Sequence, residues 1–277
     1  MSSLSIGKAW DEAKAALQAN RKLIVPVALR LILLPAVIVS MVEPRTVAGE
    51  QAPPGPWMLV ALVMVIVMLV GELAIVLMVN GWRGSVGEAI GKAARRTPTF
   101  ILAALCFLLP VILVFSILLG LGGVGTTATG QIDWTNFSAT AALLVLLCLL
   151  ALIYVSVRLM PLIAVVACES IGPIAALKRS FALTSGNFWR LLGFLLMLAV
   201  AFFIVALTVG AVIGTLVTLT LGKPEPWSLA LLLIALAGGL VQAGFVMVYT
   251  AMLARIYTQL SAPVATVPEV KREDSPS

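Results

Sequence analysis

Histidine is absent from the 277 residues, cysteine occurs three times, and aspartate and glutamate together number twelve. Histidine is the side chain most suited to proton transfer at neutral pH and a common metal ligand, so its absence removes most hydrolytic and metal-assisted chemistry. Cys106, Cys148 and Cys168 fall in or beside apolar stretches at irregular spacing. They are expected to be small buried hydrophobes rather than ligands or disulfide partners. Charge is scarce as well: 11% of residues are charged, against about 25% in soluble domains, which excludes a soluble fold. No cofactor and no enzymatic activity are expected, because no Ser/His, paired-Asp, Cys/His or metal-ligand set is available.

What the chain has in quantity is hydrophobic surface, 61% of residues with a mean hydropathy of +1.13. Cut wherever charge appears, it leaves apolar runs near 23–42, 57–80, 100–120, 139–160, 190–220 and 228–257. Each can cross a hydrocarbon core of ~30 Å as a helix rising ~1.5 Å per residue. The first run is preceded by acidic and basic groups and followed by no convincing small-residue cleavage site, so no cleavable signal peptide is expected. Of the eighteen Lys and Arg residues, only Arg45 and Lys223 fall in the three loops on one side; Arg30 lies inside a run and the rest lie on the other side or in the tail. That bias predicts six spans with both termini cytoplasmic. The net charge of +6 then reads as basic loops against anionic lipid headgroups, not as a nucleic-acid surface. The Gly120 to Gly125 cluster lacks the Gly-Lys-Ser/Thr ending of a phosphate loop and is expected to be a connector.

The tripeptides Ser5-Ile6-Gly7, Ser85-Val86-Gly87 and Ser170-Ile171-Gly172 open three similar segments, 80 and 85 residues apart. Each leads through a short Ala-rich, Lys/Arg-bearing stretch to a break, at Asn20, at Thr97-Pro98 and at Ser185-Gly186, and then to a pair of spans. Serine before a helical run is a good N-cap, and Ser85 with Glu88 has capping-box spacing. Ile6, Trp10, Ala13 and Leu17, and likewise Ile171, Ile174, Leu177 and Phe181, recur at helical intervals with charges beside them, the pattern of helices lying in the headgroup plane. The expected fold is an all-α integral membrane protein: six transmembrane helices in three parallel repeats (5–80, 85–160, 170–257), each an amphipathic cytoplasmic elbow helix plus a two-helix hairpin. Residues 1–261 form one membrane domain, and 262–277 a disordered cytoplasmic tail.

Ionisable groups inside spans are costly and draw the sharpest attention. Arg30 and Glu72 each lie about eight residues from the same face, so a hairpin predicts an ion pair between them, either pinning helices or lining a polar site. Arg158 and Arg255 close two spans in similar settings, read as snorkelling anchors, and Gln242 is placed to hydrogen-bond across helices. Gly210 and Gly214, four apart, fit close helix approach.

The segment 158–198, through Arg158, Pro161, Glu169, Gly172, Pro173, Ala176, Arg179, Ser180, Leu183, Thr184, Gly186, Phe188 and Trp189, resembles the bacterial membrane-domain family known from glycerophosphoryl diester phosphodiesterases and their catalytic-domain-free relatives. The resemblance implies an inner-membrane protein without the phosphodiesterase reaction, whose His and carboxylate site has no counterpart here. Two roles follow as expectations. One is a non-enzymatic module that handles or senses a phospholipid or glycerophosphodiester-like amphiphile; the other is a structural or assembly protein packing against other membrane proteins.

Overall fold

The computed structural model describes residues 4–44, 53–121, 125–126, 132–133 and 138–261. Most of the first two connectors expected on the charge-poor side, Arg45 among them, and the tail after Ser261 lie outside the described residues. Helix α1 (Ile6–Ala19) begins where expected, with the Lys8 N–H donating to Ser5 Oγ at 3.4 Å, and stops at Asn20. The first span follows as α2 (Arg21–Ala28), a π-helical turn (Leu29–Leu33) and α3 (Leu34–Val42). The wide turn has a local cause. Pro35 has no N–H for the Leu31 carbonyl four residues back and its ring would press on that carbonyl, and widening the helix, with the Leu34 N–H reaching the Leu29 carbonyl, relieves the clash.

Helix α4 (Trp57–Val79) returns to the charge-rich end, and α5 (Val86–Leu121) leaves it again. The Ser85 capping box forms in both directions: the Glu88 N–H donates to Ser85 Oγ and the Ser85 N–H to Glu88 Oε2, each at 3.2 Å. The break expected at Thr97-Pro98 is absent, and the second elbow is therefore the first turns of one 36-residue helix. Ala89, Ala93 and Thr97 form a buried seam at intervals of four. Packing along that seam keeps the helix continuous through Pro98, which leaves the Ala94 carbonyl without its intrahelical donor at an exposed position.

A short antiparallel pairing of β1 (Gly125–Thr126) with β2 (Ile132–Asp133) precedes α6 (Ala139–Leu159). Beyond Pro161 the chain forms α7 (Leu162–Cys168), a helix past the end of the expected 139–160 span, and then α8 (Pro173–Leu183). Ser170 does not cap α8, contrary to the repeat pattern. The helix starts at Pro173, whose fixed φ and missing N–H suit a first position. The Ser170 hydroxyl instead accepts from Arg96 Nη2 at 2.5 Å. Gly186, at φ +82°, makes the expected third break before α9 (Phe188–Leu221) and α10 (Leu229–Ser261).

Six helical stretches, Arg21–Val42, Trp57–Val79, Val86–Leu121, Ala142–Cys168, Phe188–Leu221 and Leu229–Ser261, are long and apolar enough to cross a membrane. Sequence neighbours pack as hairpins: the first span with α4, α5 with α6, and α9 with α10. The core is concentrated at the charge-rich end. There Leu73–Val79, Leu162–Ala167 and Ala251–Ala254 are buried on every side, whereas much of α5, α6 and α9 beyond it is exposed. The apolar stripes foreseen for α1 and α8 are rotated. Ala9, Ala13 and Ala16 of α1, and Ala176 with Ser180 of α8, face the bundle, while Trp10 and Ile174 point outward. Small side chains let the helices approach closely, so they occupy the contact face.

Two glycines set how closely the first span is held. A Cβ on Gly71 of α4 would lie 2.8 Å from Leu31 Cβ, and one on Gly239 of α10 would lie 2.6 Å from Leu33 Cδ1. Both helices therefore grip the π-helical turn. Gly210 and Gly214 have no such neighbour, so they are not the close-approach glycines that their spacing predicts. Gly210→Ala and Gly214→Ala are accordingly expected to leave the thermal midpoint in detergent unchanged or slightly raised, since alanine is the better helix former by roughly 1 kcal/mol.

Candidate functional site

Helix C-termini expose carbonyls that lack intrahelical donors and carry the negative end of the dipole. At the charge-rich end, arginines from elsewhere in the chain supply those donors. Arg255 Nη2 donates to the Val79 carbonyl at the end of α4 (2.6 Å), and Arg158 Nη1 to the Phe181 carbonyl in the last turn of α8 (3.1 Å). Arg96 Nη1 donates to the Val166 and Glu169 carbonyls around the end of α7, at 2.8 and 2.5 Å. Glu169 is the hub beside them: its Oε1 accepts from Tyr257 OH at 2.9 Å and pairs with Arg179 Nε at 3.1 Å. Asn80 Nδ2 points to Cys168 Sγ at 3.1 Å, and the Ser5 N–H donates to Gln259 Oε1 at 3.3 Å. This cluster ties the ends of α1, α4, α7, α8 and α10 together.

Arg158 and Arg255 are thus clasps between helices, not snorkelling anchors. The Arg158 guanidinium also lies against the rings of Tyr154 and Phe181, and Arg255 Nε is buried. The residues that carry the sequence resemblance gather at the same joint. Ser180 Oγ and Thr184 Oγ1 both donate to the Arg158 carbonyl at 3.1 Å; Pro161 lies between α6 and α7, and Gly172 with Pro173 starts α8. Phe188 packs on Tyr154 with ring centroids 5.0 Å apart, while Trp189 is exposed. Asn80, Arg96 and Tyr257 escaped the sequence reading. Arg96 stands 73 residues from Glu169, and no local pattern joins them.

The ion pair expected between Arg30 and Glu72 does not form. Depth matching itself holds, since Gly71 packs on Leu31 and Ile32. Each charged residue, however, sits one position from that contact, about 100° round its helix. The two side chains therefore leave the interface in different directions. Arg30 lines a cleft with Lys22, Leu23, Pro26, Val27, Leu31, Val86 and Ile90. Glu72 lines an open cavity of about 320 Å³ bordered by α4, α5, α6, α7 and α10, with Phe100, Phe107, Ser156, Met160 and Tyr249 among its neighbours. Among the described residues, neither Arg30 nor Glu72 has a hydrogen-bond or ion-pair partner. A double-mutant cycle of Arg30→Leu and Glu72→Leu, read by thermal unfolding in detergent, is expected to be additive within about 0.5 kcal/mol.

Gln242 faces a third space, about 420 Å³ between α3, α9 and α10, lined mainly by small and apolar residues that include Gly210, Gly214, Gly238 and Gly239. Cys106 is exposed, Cys148 and Cys168 are half-buried, and all three are free. Among the described residues no group of three or more His, Cys, Asp or Glu could hold a metal ion. Of the three spaces, the Glu72 cavity alone presents a carboxylate, set among mainly apolar walls.

No curated protein and no solved structure matches the chain. A family does: residues 4–260, the described bundle almost from end to end, match a domain of unknown function, and the chain therefore belongs to the family of that domain, DUF7847.

Proposed function

We propose that the protein is a non-enzymatic membrane module that handles or senses an amphiphile of phospholipid or glycerophosphodiester type, in a bacterial inner membrane with the charge-rich end and both termini in the cytoplasm. The Glu72 cavity carries this reading. A carboxylate at bilayer depth with no partner is costly, and such residues mark ligand, ion or proton paths. Its apolar walls suit hydrocarbon, and Glu72 suits a donor group, an ammonium or hydroxyl, on the head of the same molecule. The resemblance of the 158–198 segment to the phosphodiesterase membrane domain favours a glycerol-based lipid. Three consecutive hairpins, the first and third preceded by separate helices α1 and α8, support three parallel repeats with cytoplasmic elbows; Trp10 and Ile174, facing outward, suit a headgroup plane.

The competing role, a scaffold that packs against another membrane protein, draws on the small-residue space between α3, α9 and α10, where a partner helix would fit. Lipid analysis of protein purified in mild detergent separates the two. The wild type is expected to retain a lipid with an ammonium or hydroxyl-bearing head. In Glu72→Gln that retention is expected to fall about tenfold, the worth of one charge-assisted contact. Equal retention by both proteins would exclude the Glu72 cavity as the site and leave the scaffold reading.

A further inference from the structure

The cleft holding Arg30 is separate from the Glu72 cavity, about 260 Å³ between α2 and the first turns of α5. Its lining contains two cations, Lys22 and Arg30, and no acid; the remaining walls are Leu23, Pro26, Val27, Leu31, Val86 and Ile90. Lys22 and Arg30 are eight residues apart, about 12 Å along the first span. Lys22 is thus placed toward the charge-rich end and Arg30 deeper. An arginine at that depth is tolerated when something neutralises it. Glu72 does not, nor does any other described side chain or backbone carbonyl. Arg30 is exposed at the bundle surface, so its guanidinium is open to a partner from beyond the described residues.

Arg30 is also held in place. It belongs to the π-helical turn, and the neighbouring Leu31 and Leu33 are gripped by Gly71 and Gly239. Because those contacts fix the rotation of the turn, Arg30 is directed away from α4 before any ligand arrives. Wide turns of this kind are frequent at functional sites, and here one sets the azimuth of Arg30.

We propose that this cleft binds the phosphate-bearing head of an anionic lipid. The planar guanidinium of Arg30 matches two phosphate oxygens at once, and Lys22 adds a second positive charge nearer the headgroup plane. The apolar walls, together with the exposed Leu23, Val25, Leu29 and Leu34 on the same span, receive the acyl chains. Those walls select a lipid over free phosphate, which brings no hydrocarbon to cover them.

The test is thermal unfolding of the full chain in mild detergent, titrated with phosphatidylglycerol, phosphatidylcholine or inorganic phosphate. The wild type is expected to be stabilised by phosphatidylglycerol and not by the other two. The apparent affinity is expected to fall about tenfold in Arg30→Gln and less in Lys22→Gln, the loss of one charge-assisted contact. Arg30→Lys, which keeps the charge without the planar fork, is expected to fall between wild type and Arg30→Gln. Lys178→Gln, an exposed cation on α8 outside the cleft, should respond as the wild type does. Equal stabilisation by phosphatidylcholine, an unaltered response in Arg30→Gln, or an equal loss in Lys178→Gln would each overturn the site. Stabilisation by inorganic phosphate alone would overturn the lipid as its occupant. If Arg30→Gln fails to fold, Lys22→Gln and Arg30→Lys decide: wild-type affinity in both overturns the proposal.

Discussion

Gly71→Leu is expected to release the first span from α4 and lower the thermal midpoint in detergent by more than any other single glycine substitution in the bundle. The added Cβ alone would stand 2.8 Å from Leu31 Cβ and 3.3 Å from the Leu31 carbonyl oxygen. Neither atom can step aside independently, because one is the root of its side chain and the other is backbone. Overpacking of this kind costs roughly 1–3 kcal/mol and more where backbone must move. The Gly71→Ala variant should lie between Leu and wild type. Gly239→Ala is the informative comparison: its closest neighbour is Leu33 Cδ1, the free end of a flexible chain, so a rotamer change absorbs the clash. If Gly71→Ala and Gly239→Ala cost the same, the grip on the π-helical turn is not what holds the first span.

The second large effect is expected at Arg96. Replacing it by leucine leaves the Val166 and Glu169 carbonyls without their donor and the Ser170 hydroxyl without its partner, beside a buried α7. Charge-assisted hydrogen bonds contribute about 1.5–3 kcal/mol each, and buried acceptors left unpaired add a penalty, so a loss on the order of 3 kcal/mol is expected. Arg96→Lys should recover only part of it. One ammonium lacks the fork that reaches two carbonyls and a hydroxyl together. Hydrogen exchange followed by mass spectrometry locates the damage: protection should fall first over 162–170. A variant as stable as the wild type, with unaltered exchange there, would show that the arginine clasps are ornamental to the bundle.

Both effects concern residues whose importance is not visible along the chain. Gly71 sits in an unbroken apolar run, and Gly210 with Gly214 presents the more suggestive spacing. Arg96 reads as one of many basic groups between spans, and Glu169 stands out only through the segment that resembles the phosphodiesterase membrane domain. Long-range pairing is what distinguishes them: Arg96 meets residues more than 70 positions away, and Arg255 meets Val79 across 176. The Arg30 and Glu72 case divides the legible from the illegible most sharply. Counting residues from a membrane face placed them at the same height, and the Gly71 contact with Leu31 agrees. Counting could not tell on which side of each helix they emerge.

The amino-acid sequence by itself determined the number of the apolar helices, their pairing into consecutive hairpins, the caps at Ser5 and Ser85, and the relative depth of the charges Arg30 and Glu72 within their spans. These depend on hydropathy, short connections and local hydrogen bonds, all of which are properties of neighbouring residues. Only the tertiary structure decided rotation: which face of each helix meets protein, where Arg30 and Glu72 point, whether α5 breaks at Pro98, and which arginine closes which helix end. In a soluble protein the polar face of a helix announces its orientation. In a bundle surrounded by lipid, protein-facing and lipid-facing surfaces are equally apolar, so periodicity carries no such signal and packing of small residues chooses the face.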